Sequence, residues 1–227
     1  MNSTVSRRKL MGAGIAMPLL ALPGCTTLGS LGGFGLEDAV RRLLTVASQR
    51  GLSNLVQENG FFQDEVARVS LPAQLAGAGG VAAALLRSPT VQNQLLRLVN
   101  NAAAQAAGNV APLVYDSIRT LTITDALSIV RGGPTAATSY LERSIGERIV
   151  AALFPGVGNA LRVLDSGILN QALGATTGIN FAGLQQDVTR KAAQGIWRAI
   201  GREEATIRAN PSATNDPLLM GVFGVLR

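Results

Sequence analysis

The sequence predicts an all-α protein, a single compact domain of about seven to nine helices, and three observations carry this prediction. Runs of alternating apolar and polar residues, which are typical of half-buried strands, are almost absent from the 227 residues. Aromatic residues make up only 4% of the chain, so Leu, Val, Ile and Ala must build the core, which favours close helix packing over a β-sandwich. Apolar residues also recur at helical spacing between turn signals. A chain of this length can form one core without a metal or disulfide staple.

Residues 1–24 are predicted to be an export signal. Arg7 and Arg8 lie in a segment, Ser-Arg-Arg-Lys-Leu-Met, that resembles the twin-arginine motif, and an apolar run follows from Leu10 to Leu22. As a helix this run spans about 20 Å, too short for a hydrocarbon core of about 30 Å. We therefore expect a signal peptide of the twin-arginine type, and export of the chain to the periplasmic side of a bacterial membrane.

Cys25, the single cysteine of the chain, is predicted to carry lipid. The preceding Leu-Pro-Gly makes the segment resemble a lipobox. The alternative is a buried or incidental thiol just past an ordinary cleavage site. Two or three acyl chains, at about 0.8 kcal/mol per buried methylene, would anchor the protein firmly to a membrane. Residues 25–35 are rich in Gly and are expected to form a flexible tether, with the helical domain at residues 36–227.

The composition excludes several classes of function. The chain contains no histidine, which excludes a Ser-His-Asp triad, a Cys-His pair and the common zinc sites. No Asp-rich loop of the calcium-binding type is present, so we expect no metal and no cofactor. The formal charge of +6 falls to about +3 without Arg7, Arg8 and Lys9, and the remaining charges are interspersed. We therefore expect no binding of nucleic acid.

Turn signals and apolar spacing divide the domain into helices. Gly51 and the Pro155-Gly156 pair are expected to end helices, because both residue types are unfavourable inside them. Residues 69–72 should be extended, since residues before a proline avoid the helical region. The predicted helices cover residues 36–51, 52–58, 72–86, 89–107, 111–119, a short stretch after 122, 135–154, 157–173, 181–209 and 216–223.

Three features have both a structural and a functional interpretation. Phe61 and Phe62 are expected to be core anchors, with stacking on a ligand as the alternative. Trp197 is expected at the edge of the core rather than in a binding site. Glu203 and Glu204 point about 100° apart on a helix, which suits a solvated face pairing with arginine better than a glycosidase pair.

Residues 121–140 carry the densest local signals. Thr122 and Asp125 have capping-box spacing, and Thr124 is a second candidate N-cap. The Gly132-Gly133-Pro134 run should end this helix, and Thr135 or Pro134 should begin the next. A helix start after two glycines could also bind an anion, but the P-loop lysine and a preceding strand are missing, so a turn and cap are favoured.

The same segment, T-I-T-D-A-L-S-I-V-R-G-G-P-T-A-A-T-S-Y, resembles the signature of a bacterial family, domain of unknown function 4197. Four further segments agree with that pattern in the same order: G-F-F at 60–62, V-S-L-P at 69–72, V-T-R-K-A at 188–192 and E-E-A-T-I-R-A-N-P at 203–211. The resemblance implies an all-helical, exported and often lipid-anchored protein with no established activity. It supplies no catalytic residues.

The leading functional hypothesis is a non-catalytic, lipid-anchored domain of the cell envelope that binds a partner protein or an apolar ligand. Its membrane contact would be the lipid on Cys25. One alternative is a periplasmic enzyme that uses carboxylate and hydroxyl chemistry, for instance Asp125 with Thr122, Thr124 or Thr138. Another is a structural factor that assembles into oligomers.

Overall fold

The computed structural model describes residues 34–72, 88–163 and 181–225, and these ranges contain eight α-helices, one 3-10 helix and no strand. The predicted all-α fold class is confirmed. The helices are α1 (Phe34–Leu55), α2 (Gly60–Gln63), α3 (Pro89–Ala107), α4 (Val110–Arg119), α5 (Ile123–Val130), α6 (Ala136–Val163), α7 (Phe181–Ala209) and α8 (Pro217–Phe223), with the 3-10 turn at Pro211–Thr214.

Three long helices, α1, α6 and α7, form the centre of the fold, and α3 packs against α6. Helices α6 and α7 run antiparallel, because Glu204 contacts the start of α6 at Ala137 whereas Gln185 contacts Phe154 near its other end. The apolar positions predicted from spacing are buried. On α1 and α7 they are Ala39, Val40, Leu43, Leu44, Ala47, Leu184, Val188, Ala192, Ile196, Ala199 and Ile200, all fully buried.

The expected helix end at Gly51 is wrong, because α1 continues to Leu55 and no separate helix covers residues 52–58. A Cβ at Gly51 would lie 3.0 Å from the backbone nitrogen of Ile200. Gly51 therefore stays in the helix as the point where α1 closely approaches α7. Its poor helix propensity costs about 1 kcal/mol, which the burial on both sides of it offsets.

The expected break at Pro155 is also wrong, since α6 runs through it from Ala136 to Val163. Leu153 and Val157 lie four residues apart and are both fully buried, so one apolar face continues across the proline. Gly156 allows close contact with α3, where an added Cβ would lie 3.0 Å from the Cβ of Ala106. We infer that this packing offsets the roughly 3 kcal/mol cost of an interior proline.

Phe61 and Phe62 have different environments. Phe61 is fully buried, as predicted for a core anchor. Phe62 is half-buried, and the guanidinium groups of Arg68 and Arg97 lie over its ring, at 4.9 and 4.5 Å from the ring centroid. Only one of the two aromatic residues is therefore a core anchor.

The non-helical segment after α2 is fixed by side chains of other elements. Buried Asn100 of α3 accepts a hydrogen bond from the amide of Val69 at 2.8 Å and donates one to its carbonyl at 2.9 Å. These two bonds satisfy the backbone amide and carbonyl of Val69, which lies outside any helix. The predicted helix over 72–86 falls almost wholly outside the described residues, as does the part of the 157–173 helix beyond 163.

The remaining predicted helices agree with the structure. The 89–107 and 181–209 helices have the expected bounds, and α4 begins at Val110, one residue earlier than predicted. Asp216 caps α8 by accepting from the amides of Leu218 and Leu219. In the ranges 34–72, 88–163 and 181–225, no helix combines the length and the apolar character that a membrane crossing requires.

Candidate functional site

The 121–140 segment forms a capped helix followed by a tight turn into α6. Thr122 is the N-cap of α5, and its hydroxyl accepts from the amide of Asp125 at 3.3 Å, while Asp125 accepts from the Thr122 amide at 3.0 Å. Tyr140 of α6 donates to the same carboxylate at 3.0 Å. The Thr122 hydroxyl, helped by its amide and by Tyr140, lowers the pKa of Asp125. Burial, and then the bond to Asp125, raises the pKa of Tyr140.

Thr124 is not an N-cap, because it lies inside α5 with its side chain exposed. Thr122 takes that position since its backbone is extended, as capping requires. Thr135 directly precedes α6, and its carbonyl accepts from Ser139 at 2.9 Å. The amides of Ala137 and Thr138 in the first turn bond to a different group.

That group is the carboxylate of Glu204, which comes from α7. It accepts from the amide of Ala137 at 3.0 Å, from the amide of Thr138 at 2.7 Å and from the Thr138 hydroxyl at 2.7 Å. Arg208 donates to it at 2.8 Å. Glu204 is fully buried, so the expectation of a solvated face is wrong for it, although the pairing with Arg208 is present. The partly exposed Glu203 contacts Arg202 at 3.6 Å.

The anion at the start of α6 is therefore part of the protein. A helix N-terminus attracts negative charge, and here the Glu204 carboxylate fills that position. Gly132 serves the turn, because a Cβ there would lie 2.5 Å from the Cβ of Ala136, whereas a Cβ on Gly133 would meet nothing within 4 Å. The turn-and-cap interpretation of residues 132–135 accounts for these contacts.

An open groove runs between α6 and α7. It consists of two adjoining hollows of about 460 and 330 Å³, which share Glu142, Gln194 and Trp197. We call it the α6/α7 groove. Trp197 forms its floor and is only 5% exposed, which agrees with its expected place at the core edge. Along α7 the lining extends from Arg190 to Ala205, a length of about 22 Å at 1.5 Å per residue.

The rim of the α6/α7 groove carries charges of both signs. Arg143 and Glu147 lie on α6 and Arg190 lies on α7, and all three are exposed. None of them forms an ion pair with another residue in the described parts of the chain. Their hydrogen-bonding groups are therefore available to a ligand or a partner.

The other end of the groove is held by an ion pair that ties the segment after α2 to α7. Arg202 donates to both oxygens of Asp64, at 2.9 and 2.8 Å. Burial would raise the pKa of Asp64, but the hydrogen bonds from Arg202, Ala67 and Val66 outweigh it and hold this pKa below its usual value. Because Val66 and Arg202 both line the groove, the pair fixes the shape of this wall.

The hydroxyl and carboxylate groups considered for an enzyme are not assembled into a reactive site. The carboxylate of Asp125 bonds to Thr122 and Tyr140, whereas the hydroxyl of Thr138 bonds to Glu204. Glu204 is 0% exposed and its carboxylate already accepts four hydrogen bonds, so it is not free to act on a substrate, although Thr138 lines the larger hollow of the groove. Within the described residues, no group of three or more acidic or Cys side chains is placed to hold a metal ion.

Arg7, Arg8 and Cys25, which carry the export and lipidation predictions, lie outside the described residues. The groove was not predicted from the sequence, because it depends on how α6 and α7 pack. The buried position of Glu204, in contrast, is indicated by the spacing of apolar residues around it. Glu204 lies four residues after Ile200 and three before Ile207, which places its carboxylate on the buried face of α7.

Comparison with known families gives a match. Residues 31–224 match the family model described as a protein of unknown function (DUF4197). No curated protein and no solved structure matches the chain. The matched residues include the capped turn, the Glu204 contacts and the whole α6/α7 groove. Because the match spans most of its length, the chain belongs to this family of proteins of unknown function, DUF4197.

Proposed function

We propose that the protein is a non-catalytic, lipid-anchored domain of the bacterial cell envelope that binds a segment of a partner protein in the α6/α7 groove. The observation that carries the proposal is the groove itself, an open channel about 22 Å long with a Trp197 floor and unpaired charges on its rim. Aromatic and arginine side chains are the residues that most often anchor protein interfaces. A peptide could pair with Arg190 and Glu147 while covering the floor.

An apolar small molecule is a weaker candidate for the same groove. The larger hollow, at about 460 Å³, falls within the usual range for ligand sites. Such sites enclose most of the ligand, however, whereas this groove is open and has a charged rim. A protein segment can leave its polar side in water, so it fits the arrangement better.

A crosslinking experiment tests the partner proposal. A photoreactive amino acid at Gln194, in the middle of the groove, should give a crosslinked adduct in living cells that mass spectrometry identifies. The same probe at Gln94, an exposed glutamine on α3, is the matched control. Charge reversal by Arg190→Glu should weaken the adduct at 194. Equal adducts at both positions, or none at 194, would contradict the proposal, and an adduct with a second copy would favour the oligomer alternative.

The anchoring part of the proposal rests on the lipobox-like segment before Cys25. Replacing Cys25 with Ser should move the protein from the membrane fraction to the soluble fraction, because it removes the atom that carries the acyl chains. Immunoblots of fractionated cells measure the shift. If the protein stays with the membrane fraction after Cys25→Ser, lipid on this residue is not what holds it there.

A further inference from the structure

The exposed apolar side chains of the molecule are unevenly distributed. Six large apolar residues are exposed among the described residues. Two of them lie on α5, one lies on α8 and one follows α8 by two residues. These four are Ile123, Leu127, Met220 and Val225, with exposed fractions of 40, 43, 43 and 72%. We call them the α5/α8 surface. Ile123 and Leu127 are four residues apart and share one face of α5.

Both helices pack beside the start of α1. Arg41 of α1 donates to the carbonyl of Leu121, next to the cap of α5, at 2.9 Å. Arg42 donates to the cap residue of α8, Asp216, at 2.6 Å. Arg41 lies about 10 Å along the helix from Phe34, the first described residue. The α5/α8 surface is therefore located at the end of the molecule where α1 begins.

Arg208 joins the two helices directly. Its guanidinium donates to the carbonyl of Ile129 in α5 at 3.0 Å and lies 4.8 Å from the ring centroid of Phe223 in α8. The two other exposed apolar residues, Val56 and Phe154, lie far from Arg208. Val56 follows the opposite end of α1. Arg208 pairs with Glu204 at the first turn of α6, and Phe154 lies about 27 Å along α6 from its first residue.

The length of chain before α1 limits how far this end can be from Cys25. Only residues 26–33 separate Cys25 from Phe34, and an extended chain spans at most about 3.5 Å per residue. A membrane that holds lipid on Cys25 must therefore lie within roughly 30 Å of the start of α1, whatever the conformation of the intervening residues.

From these observations we infer that the α5/α8 surface docks onto the lipid bilayer to which Cys25 is anchored. The inference rests on the anchoring part of the proposed function and adds an orientation to it. A short tether raises the local concentration of the surface at the membrane, so a few apolar side chains are enough to hold it there. The α6/α7 groove extends along α7 away from the end that carries the α5/α8 surface, so a docked protein would still leave the groove open to a partner.

Charge adds one unpaired cation to the contact. Three arginines near the surface are paired with acids, Arg41 with Glu37, Arg42 with Asp216 and Arg119 with Asp116. Arg131 is the exposed residue at the end of α5, four positions after Leu127, and it has no ion pair among the described residues. Apolar side chains entering the interface therefore supply most of the docking energy, and Arg131 adds a smaller attraction to anionic lipid. Vesicles of zwitterionic phosphatidylcholine should bind the surface, and vesicles that contain phosphatidylglycerol should bind it somewhat more tightly.

An environment-sensitive fluorophore measures the docking. It is attached through Leu127→Cys in full-length protein that has been processed by cells, purified from their membranes and reconstituted in vesicles. The chain has a single native cysteine, so with lipid on Cys25 the new thiol is the only reactive one. At position 127 we expect a blue shift, quenching by spin-labelled lipid and loss of quenching by aqueous iodide. The matched control, Phe154→Cys, should stay accessible to iodide.

The outcomes separate docking from anchoring. Equal iodide quenching at 127 and 154 in a protein that Cys25→Ser releases from membranes would leave the anchor intact and overturn the docking. If Cys25→Ser does not release the protein, the anchoring proposal fails. Burial of a label at 127 in Cys25→Ser, Leu127→Cys protein, which has no other thiol, would then still support docking. Protection of position 127 in soluble Cys25→Ser protein without lipid would assign the surface to a second copy of the chain and overturn the inference. The double variant Ile123→Glu, Leu127→Glu should restore access to a label at Met220→Cys.

Discussion

The Glu204 carboxylate is the most constrained charged group in the described part of the protein. It is fully buried and has four hydrogen bonds, three from the first turn of α6 and one from Arg208. A buried carboxylate is costly unless each lone pair is bonded, and here the amides, a hydroxyl and a guanidinium meet that need. These hydrogen bonds join the end of α7 to the start of α6 and fix the register between the two helices that form the groove.

Removing the charge of Glu204 should destabilise the fold strongly. Glu204→Gln removes the ion pair of Arg208 and turns an NH₂ group toward donors, so we expect a loss of about 3–5 kcal/mol in the free energy of unfolding. Glu203→Gln is the matched control, since Glu203 is partly exposed and makes only a 3.6 Å contact, and it should change stability by less than about 0.5 kcal/mol. Urea denaturation measures both. If Glu204→Gln does not fold, Thr138→Val should still show a loss of about 1–2 kcal/mol.

The contribution of the capping box to stability can be tested by replacing Thr122 and Thr124 in turn. Thr122→Ala removes the side chain that accepts from the amide of Asp125, and we expect a loss of about 1 kcal/mol. Thr124→Ala, inside the same helix and exposed, should be neutral or slightly stabilising because Ala has the higher helix propensity. Thermal unfolding of the two variants measures the difference. An equal loss for both would show that the cap does not depend on Thr122.

The capping box of α5 and the Glu204 carboxylate at the start of α6 show which contacts of single residues could be predicted from the sequence. Thr122 and Asp125 are three residues apart, so local spacing predicts their bonds. Glu204 and Ala137 are 67 residues apart, and no local pattern links them. The buried position of Glu204 on α7 was available from periodicity, but its partner was not.

At the scale of helices, the sequence predicts bounds well where the signal is local and poorly where packing overrides it. The 181–209 helix has an uninterrupted apolar face and ends before Asn210-Pro211, so its bounds are correct. Gly51 and Pro155 were expected to end helices because both are unfavourable inside them. Each is retained inside a helix because the chain around it packs closely against another helix.

Close approach at glycine should be measurable by substitution. A Cβ on Gly195 would overlap the carbonyl oxygen of Ala67, a backbone atom that cannot move aside cheaply, so Gly195→Ala should destabilise the protein by about 1–3 kcal/mol. Gly146 is the control. It lies inside α6, where a new Cβ would meet only Glu142 at 3.9 Å, and Gly146→Ala should stabilise by about 0.5–1 kcal/mol. Chemical denaturation compares them, and a gain in both variants would mean that α7 can move away from the segment after α2.

At the scale of the molecule, the antiparallel packing of α6 and α7, with α1 packed against α7, decides where the surfaces lie. It places the α6/α7 groove along the side and the α5/α8 surface at the end where α1 begins. The helices were predictable from the sequence, but the groove depends on the register between α6 and α7, which Glu204 and Gln185 fix at opposite ends. The all-α class was therefore predictable and the candidate site was not.

The shifted pKa values of three aspartates predict how the stability of the fold depends on pH. Hydrogen bonds from Arg42 and from Thr122 lower the pKa of Asp216 and of Asp125, and Arg202 with two amides does so for Asp64 against the effect of burial. A lowered folded pKa means that the unfolded chain binds more protons, so these groups stabilise the fold above the ordinary Asp value of 3.8. This contribution is lost as pH falls through 3.8 toward the lowered folded values. With no histidine in the chain, we expect stability to be nearly constant between about pH 5.5 and 8.

Urea midpoints measured from pH 2.5 to pH 8 test this dependence, and Asp64→Asn gives the sharpest comparison. The variant loses the bidentate bond to Arg202, so it should be less stable at pH 7. The stability gap to the unmodified protein should narrow as pH falls through 3.8, the ordinary Asp value, toward the lowered pKa of folded Asp64. Asp116→Asn is the control, because Asp116 is exposed and contacts only Arg119 at 3.5 Å, and its curve should follow that of the unmodified protein. A gap for Asp64→Asn that stays constant at every pH would mean that the carboxylate charge does not hold this contact.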